Sequence, residues 1–189
     1  MKRRGFVALF CLVALQTMAG DAAARQDPPP AGQALTTIAS LEVPRYMGTW
    51  FEIAKYPNGF QKKCVSGARA DYSLMADGQV QVINRCRLAG GETTEAMGMA
   101  RQIGPATSPR LQVRFAPSWL SFLPLVWGDY WVIDLEQDYQ LVAVSEPRRQ
   151  YLWILSRTPQ VDPVRYQRLL SRLRQQGLDP DRLESTPQD

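Results

Sequence analysis

The sequence predicts an all-β protein, an eight-stranded antiparallel up-and-down barrel with one C-terminal α-helix packed outside it. Three observations lead to this fold. Eight short β-rich segments follow one another between Gly48 and Ser156, with turn residues at regular spacing between them. Closing these strands into a barrel leaves no strand edge open. A single helical pattern follows the last strand, so its apolar face is expected to cover a patch of the outer wall.

The first strand lies within the stretch from Val43 to Ala54. Pro44 cannot donate a hydrogen bond to a strand ladder, so the strand is expected to begin after it. Gly48 then allows a bend or a close approach before the aromatic run. Side chains alternate along a strand, and this alternation places four residues on one inward face: Trp50, Glu52, Ala54 and Tyr56.

Turn signals delimit the later strands. Asp77-Gly78 is typical of a tight hairpin, and Gly104-Pro105 marks a turn further along the chain. The segment 117–128 is a long and unusually apolar connection. The strands predicted after the first one cover residues 65–75, 79–87, 93–102, 110–116, 130–135, 140–144 and 150–156.

The helix is predicted by its capping residues and by its apolar spacing. Asp162 is a good N-cap, Pro163 suits the first helical position, and Gly177 ends the pattern. Apolar side chains recur at helical spacing on one face: Tyr166, Leu169, Leu170 and Leu173.

Residues 1–24 are predicted to be a signal peptide. A basic start is followed by the apolar segment Phe6–Ala19, which is short for a bilayer span, and by a small-residue cleavage site at Ala22-Ala23-Ala24. A retained membrane anchor is the alternative. Cys11 follows Phe10 inside the apolar segment, whereas a lipidation signal has small residues before its cysteine, so no lipidation is expected.

The remaining chain is expected to form one domain. Residues 25–40, which contain Pro28-Pro29-Pro30, are expected to form a flexible tether. Residues 41–178 are expected to form the barrel and helix, and residues 179–189 a C-terminal tail. A cleaved signal peptide implies a periplasmic or secreted protein, with association to the outer membrane as a further option.

Charge and composition narrow the function classes. The net charge is +4, and the signal segment holds three basic residues and one acidic residue, which leaves +2 and no basic patch suited to nucleic acid. The chain contains no histidine, which removes the usual general base and the commonest metal ligand. No catalytic residue, metal or cofactor is therefore expected.

Three segments resemble motifs of the lipocalin family. Gly48-Thr49-Trp50 resembles its G-x-W signature, and the longer stretch to Lys55 resembles the bacterial lipocalins, in the apolipoprotein D-like branch. Residues 129–134 and 153–157 resemble the second and third motifs. A β-sandwich that carries these motifs by chance is the alternative.

Strand order brings Trp50 and Arg157 to the same end of the barrel, here called the lower end. The resemblance, which covers about residues 43–177, implies that Arg157 packs across Trp50 and closes this end, with Gly48 in the same motif. Some bacterial lipocalins are lipoproteins, and this sequence departs from that pattern.

The upper half of the barrel is the candidate ligand site. An eight-stranded barrel can hold one small ligand, and Ala54 and Ala70 leave room for it, whereas a solid core is the alternative. The candidate ligand-binding residues are Ala54, Tyr56, Phe60, Ala70, Tyr72, Val82, Val113, Phe115, Tyr130, Tyr151 and Trp153.

Charged residues are expected to lie outside the hollow, because burying an unpaired charge is costly. The outward strand positions hold Arg69, Arg85, Arg87 and Arg114. An anionic headgroup is therefore expected at the mouth, near residues that could equally form a solvated basic rim: Lys62, Lys63, Arg148 and Arg149. Glu52 faces inward, where a tyrosine hydroxyl or Arg157 is expected to satisfy it.

Cys64 and Cys86 are the two cysteines outside the signal segment. An even number of cysteines in an exported chain favours a disulfide. The two residues lie on neighbouring strands near the mouth but out of register, so the chain before Val65 is expected to curl back.

The preferred hypothesis is an exported lipid-binding lipocalin that carries or scavenges a fatty acid, a lysophospholipid or a similar apolar small molecule, as the resemblance implies. A lipocalin-fold enzyme is less favoured because the chain lacks histidine. A third hypothesis is a module that docks on a membrane or a partner. The 117–128 loop either folds inward as a lid or exposes Trp119, Leu120, Phe122 and Leu123, with Trp119 and Phe122 touching a membrane surface or forming a homodimer.

Overall fold

A computed structural model describes residues 34–188 of the chain, so the predicted signal peptide and the three prolines lie outside the described residues. Consecutive strands pair antiparallel, and β1 pairs with both β2 and β8, which closes the sheet into the predicted barrel. The eight strands are β1 Gly48–Lys55, β2 Cys64–Leu74, β3 Val80–Leu88, β4 Thr93–Gln102, β5 Arg110–Arg114, β6 Gly128–Leu135, β7 Leu141–Ser145 and β8 Leu152–Ser156.

Two α-helices, three short 3-10 helices and a ninth strand complete the described domain. The α-helices are α1 Val43–Tyr46 and α2 Pro163–Gln175, and the strand is β9 Glu184–Ser185. The Asp162 side chain accepts a hydrogen bond from the Arg165 backbone N–H and so caps α2. Gly177 follows α2 with a φ of 76°, a conformation that glycine adopts without strain. Neither helix is long and apolar enough to cross a bilayer, and this holds for residues 34–188 as a whole.

The buried apolar residues form two separate clusters, one on each side of the barrel wall. The inner core lies within the barrel and includes Trp50, Ala70, Tyr72, Val82, Val132, Val142, Val144 and Leu155. The outer core lies between the wall and α2 and includes Ala54, Tyr56, Ile133, Ala143, Ile154, Leu169, Leu170 and Leu173. The helix therefore packs outside the barrel through the face that the sequence predicts.

The C-terminal segment is part of the barrel wall. β9 pairs with β1 at Ala54 and Lys55, and the Gly67 N–H donates to the Pro187 carbonyl at 2.8 Å. The Gln188 side-chain amide donates to the carbonyls of Glu52 on β1, at 2.6 Å, and of Ala68 on β2, at 3.0 Å. Residues 184–188 thus fill the gap where the upper halves of β1 and β2 separate, so residues 179–188 are not a loose tail.

The domain also begins earlier than expected. Leu35 is buried in the outer core, and the Ile38 N–H donates to the Val132 carbonyl at 3.1 Å. The expected bounds of 41–178 are therefore too narrow at both ends, because the flanking segments bury side chains that the barrel alone leaves uncovered.

The disulfide between Cys64 and Cys86 is confirmed, with a Cα–Cα distance of 5.5 Å. The register of β2 against β3 shifts between Cys64 and Ser66 and again between Ser66 and Arg69. These irregularities within β2 bring Cys64 beside Cys86, so a curl confined to the chain before Val65 is not what joins them.

Candidate functional site

The lower end of the barrel is closed by Arg157 and Trp50. The Arg157 Cζ atom lies 3.9 Å from the centroid of the Trp50 ring, and its guanidinium donates to the carbonyls of Thr49 and Arg45, each at 2.9 Å. Trp50 is fully buried and donates its indole N–H to the Tyr46 carbonyl at 2.8 Å. Gly48 lies beneath the guanidinium, where a Cβ atom would come 3.3 Å from Arg157 Nη1. The Trp50 indole and the Arg157 guanidinium both have hydrogen-bond partners, so this end is sealed.

Three tyrosine hydroxyls form a buried chain above this seal. The Tyr130 hydroxyl oxygen lies 2.8 Å from that of Tyr46 and 3.1 Å from that of Tyr72. Burial raises the pKa of all three phenols, that of Tyr72 to about 12. The sequence places Tyr72 and Tyr130 inward, whereas Tyr46 comes from α1 and was not predicted. The floor of the interior is therefore neutral, with hydroxyl groups at its centre.

The inner wall becomes accessible to solvent in the upper half. Ala70, Val82, Val113, Tyr130 and Trp153 belong to the inner core or pack against it, as strand alternation predicts. Higher on the wall, Phe115 is 45% exposed, and a Cβ on Gly98 would come within 2.7 Å of its ring. Asn84 and Ala96 pair across β3 and β4 and are also exposed. The barrel is thus closed below and open above.

Aromatic rings line one side of the mouth. The rings of Phe60 and Tyr151 lie 5.4 Å apart, and those of Tyr151 and Trp153 are stacked at 5.7 Å. Phe60 is 75% exposed, whereas Trp153 packs against the inner core. The three rings lead from the solvent to the interior.

Ala54 and Tyr56 do not lie inside the barrel, which corrects the prediction from strand alternation. Both belong to the outer core, and the Tyr56 hydroxyl donates to the Asp179 carbonyl at 2.9 Å. The pairing of β1 with β8 shifts between Glu52 and Ala54. One extra residue in a strand reverses the face of every side chain after it.

The same bulge turns Lys55 toward the interior. Lys55 pairs with Trp153 of β8, which packs against the inner core. Its Nζ lies 3.3 Å from Glu52 Oε1, and the two side chains are 14% and 5% exposed. The expectation that no cation lies inside the barrel is therefore wrong, because it assumed unbroken alternation along β1.

Glu52 has partners other than those expected. Its Oε2 accepts a hydrogen bond from Gln61 Nε2 at 2.5 Å, and its Oε1 accepts one from Thr186 Oγ1 at 2.6 Å. Gln61 Oε1 in turn accepts from the Trp153 indole N–H at 3.2 Å. Neither a tyrosine hydroxyl nor Arg157 serves this role. Gln61 comes from the loop after β1 and Thr186 from the C-terminal segment, so spacing along the chain offered no signal for either.

The outward arginines behave as strand alternation predicts. Arg85 forms ion pairs with Asp71 and Glu95, and Arg114 packs 5.2 Å from the centroid of the Trp127 ring. At the mouth, Lys62, Lys63 and Arg148 are exposed, whereas Arg149 Nε donates to the Gln176 carbonyl at 3.0 Å.

The 117–128 loop is anchored by its last aromatic residue and exposes the others. The Arg101 Cζ atom lies 4.0 Å from the Trp127 ring, and the Trp127 indole N–H donates to the Ser121 carbonyl at 2.9 Å. Trp119, Phe122 and Leu125 are 71%, 74% and 97% exposed. Leu123 is also exposed, and Leu120 is partly buried. These side chains face solvent, as expected for an outward-facing loop and not for a lid folded over the barrel.

Two grooves on the outer surface of the domain involve α2. One of about 740 Å³ runs between the β6–β7 turn and α2. Two of the arginines that line it are paired, Arg165 with Glu136 and Asp138, and Arg172 with Asp134. Most of the residues that line this groove are charged or polar, so it is not a candidate site for an apolar ligand. Within residues 34–188, no three histidine, cysteine, aspartate or glutamate side chains are arranged to hold a metal ion.

Known proteins share both the sequence and the fold. The Lipocalin-like domain family matches residues 41–188. The chain is 38% identical over 156 residues to temperature-induced lipocalin-1 of Arabidopsis thaliana, which covers 82% of this chain and 83% of the relative. It is 35% identical over 173 residues to the outer membrane lipoprotein Blc of Escherichia coli K12, which covers 90% and 92%.

A solved structure supports the architecture. The cockroach allergen Per a 4 superposes with a TM-score of 0.61 at 20% identity, over 82% of this chain and 93% of the allergen. At this identity the likeness concerns the fold alone. The family match extends through residue 188 and so includes the segment that fills the gap between β1 and β2. By its sequence and its barrel, the chain belongs to the lipocalin-like domain family.

Proposed function

We propose that this protein binds an apolar small molecule in the upper half of its barrel and carries or scavenges it in the cell envelope. The observation that carries this proposal is the contrast between the two ends. Arg157 and Trp50 seal the lower end, whereas Phe115, on the inner wall of the upper half, is 45% exposed. An exposed aromatic side chain on an inner wall is a surface that an apolar ligand would cover favourably.

A single acyl chain is the ligand class that fits best, as in a fatty acid or a lysophospholipid. Eight strands enclose room for one small ligand. Phe60, Tyr151 and Trp153 offer a continuous aromatic path from the mouth, and Ala70 leaves space on the wall below. The similarity to Blc, named an outer membrane lipoprotein, supports a place in the cell envelope, as does the signal peptide expected at residues 1–24.

Binding is a better proposal than catalysis. The chain has no histidine, and the described cysteines are joined in a disulfide. The buried phenols have raised pKa values and so remain protonated at neutral pH. These groups are poor nucleophiles and poor bases in that state.

Contact with a membrane surface is a second proposal, favoured by the 117–128 loop. Trp119, Phe122 and Leu125 are exposed together on this loop, and tryptophan is favoured at bilayer interfaces. Exposed Lys62 and Lys63, on the loop after β1 at the same end of the barrel, would add attraction to anionic lipid. A tail could then pass between bilayer and barrel without crossing water.

The test of ligand binding is native mass spectrometry of the purified protein from its own host, followed by lipid extraction. We expect a one-to-one complex whose added mass matches a single-chain lipid. A fatty-acid-like fluorescent probe should then bind to the delipidated protein in the same ratio. A protein that carries no lipid and binds no such probe would contradict the proposal.

A further inference from the structure

We propose that Lys55 binds the anionic end of the ligand inside the barrel, and that Glu52 holds its ammonium group when no ligand is bound. The inference rests on the proposed binding of an apolar ligand and adds the chemistry of that ligand's polar end. The group recognised is an anionic oxygen, either of a carboxylate or of a phosphate.

The position of Lys55 suits this role. It pairs with Trp153, which belongs to the aromatic path from the mouth. Its side chain is only 14% exposed. An ion pair with a ligand at such a place is screened less by water and salt than one at the rim. Lys62 and Lys63 are exposed and would gain little from the same contact.

The Lys55 ammonium group has N–H donors that Glu52 does not use. An ammonium offers three N–H donors, and among residues 34–188 Nζ has one acidic partner, Glu52 Oε1 at 3.3 Å. This separation is longer than that of a strong charge-assisted hydrogen bond. A ligand oxygen can therefore bind to Nζ without displacing a tight contact.

Glu52 does not need Lys55 to satisfy its oxygens. Gln61 donates to Oε2 at 2.5 Å and Thr186 donates to Oε1 at 2.6 Å. These two donors fix the carboxylate from the loop after β1 and from the C-terminal segment. Lys55 can thus turn toward a ligand while the carboxylate keeps a hydrogen bond on each oxygen.

A purely structural ion pair is the competing explanation. Buried ion pairs often contribute little net stability, because the cost of removing both charges from water offsets their attraction. Here the Lys55 side chain remains 14% exposed, and its carboxylate partner already has two other donors. The two explanations differ in one measurable respect, which is whether Lys55 distinguishes anionic ligands from neutral ones.

The experiment compares two matched pairs of probes by isothermal titration: oleic acid with oleyl alcohol, and 1-oleoyl lysophosphatidic acid with monoolein. Lys55→Met should weaken at least one anionic probe by about tenfold or more, while its neutral partner changes by less than about twofold. Arg69→Met is the control, because it removes one positive charge from the outer face of β2. It should leave all four affinities unchanged.

Two further variants protect the test against a folding defect. Glu52→Gln/Lys55→Met removes both charges together and should lose the same preference for anionic probes. Glu52→Gln alone releases Lys55 and removes a like charge, so it should raise the affinity for an anionic probe several-fold and leave the neutral probe unchanged. A loss confined to oleic acid would identify a carboxylate as the source, and one confined to the lysophosphatidic acid would identify a phosphate.

Two results would overturn the inference, and they are distinguishable. If anionic and neutral probes weaken equally in Lys55→Met and in the double variant, the ion pair is structural and the proposed function still stands. If the wild-type protein binds none of the four probes, the proposed function itself fails, and this inference with it.

Discussion

Arg157 lies over the indole of Trp50, with its Cζ atom 3.9 Å from the ring centroid. The two residues are far apart in the sequence: Trp50 lies in β1, and Arg157 directly follows β8. The guanidinium also donates to the Thr49 and Arg45 carbonyls, so it joins β8 to β1 and to α1. This contact therefore closes the barrel and fixes its first strand.

Removing either residue should destabilise the protein. Trp50→Ala empties a fully buried site and should lower the free energy of unfolding by about 3–5 kcal/mol. In a double-mutant cycle, Trp50→Ala and Arg157→Ala should couple by about 0.5–2 kcal/mol, because they share the cation–π contact. Urea denaturation measures both quantities. Arg148→Ala at the opposite end is the control, and additive losses for Trp50 and Arg157 would contradict the contact.

The disulfide should contribute stability through the unfolded state. It joins residues separated by 22 positions, and closing a loop of this size is worth about 3 kcal/mol. Cys64→Ala/Cys86→Ala should therefore unfold at lower urea, and adding reductant should lower the midpoint of the wild type but not that of the variant. Two free thiols in the oxidised, unfolded protein would show that the bond does not form.

The tyrosine chain should make stability fall at alkaline pH. A phenol whose pKa is raised on folding binds its proton more tightly in the folded state, so its contribution is complete below the unfolded value near 10. It is lost as the pH rises through the folded value, which is about 12 for Tyr72 and higher than normal for Tyr46 and Tyr130. For Tyr72 the loss amounts to about 3 kcal/mol.

This alkaline loss can be assigned to the chain by substitution. Tyr72→Phe should flatten the decrease in unfolding free energy between about pH 10 and pH 12. Tyr151→Phe, at the mouth, controls for the loss of a hydroxyl elsewhere. A slope that is the same in Tyr72→Phe and in the wild type would contradict the burial of this phenol in a hydroxyl chain.

Filling the upper half should block ligand binding. Asn84 is exposed on the inner wall, so Asn84→Trp can be accommodated while it occupies the space proposed for the ligand. The affinity for a fluorescent fatty acid should fall by about tenfold or more. Ile83→Trp places the same bulk on the outer face and should bind normally. Equal affinities in both variants, with intact folds, would place the ligand elsewhere.

Much of the fold could be predicted because its signals are local. The Asp77-Gly78 turn and the Asp162 helix cap could each be predicted from a few neighbouring residues. The contact of Trp50 with Arg157 followed from strand order together with the family resemblance. Neither inference needed the exact register of any strand.

The interior was harder to predict because it depends on register. A single irregularity at Ile53 moves Ala54 and Tyr56 outside and brings Lys55 inside. Nothing in the composition of the segment marks that position. The hydrogen-bond partners of Glu52 could not be predicted for a different reason. Thr186 lies 134 residues away and belongs to a segment with no strong strand pattern. Strand alternation would choose Ala54→Trp to block the hollow. Because Ala54 lies in the outer core, this substitution should instead disturb the packing of α2.

The 117–128 loop should bind the protein to anionic membranes. Trp119 and Phe122 are 71% and 74% exposed, and each can enter the interfacial region of a bilayer, where aromatic side chains are favoured. Trp119→Ser/Phe122→Ser should therefore reduce co-sedimentation with vesicles that contain phosphatidylglycerol. Leu74→Ser/Met75→Ser is a matched control, because both residues are exposed apolar side chains at the lower end of the barrel. It should sediment as the wild type does.

The vesicle experiment also separates a membrane contact from contact between two copies of the chain. Lys62 and Lys63 are exposed beside the mouth, so binding should weaken as salt rises and should be poorer on neutral vesicles. Analytical ultracentrifugation of the wild type supplies the second measurement. A wild-type dimer that dissociates in Trp119→Ser/Phe122→Ser, with no vesicle binding by either protein, would assign the exposed loop to a homodimer. A monomer that sediments with vesicles only when Trp119 and Phe122 are present would assign it to the membrane.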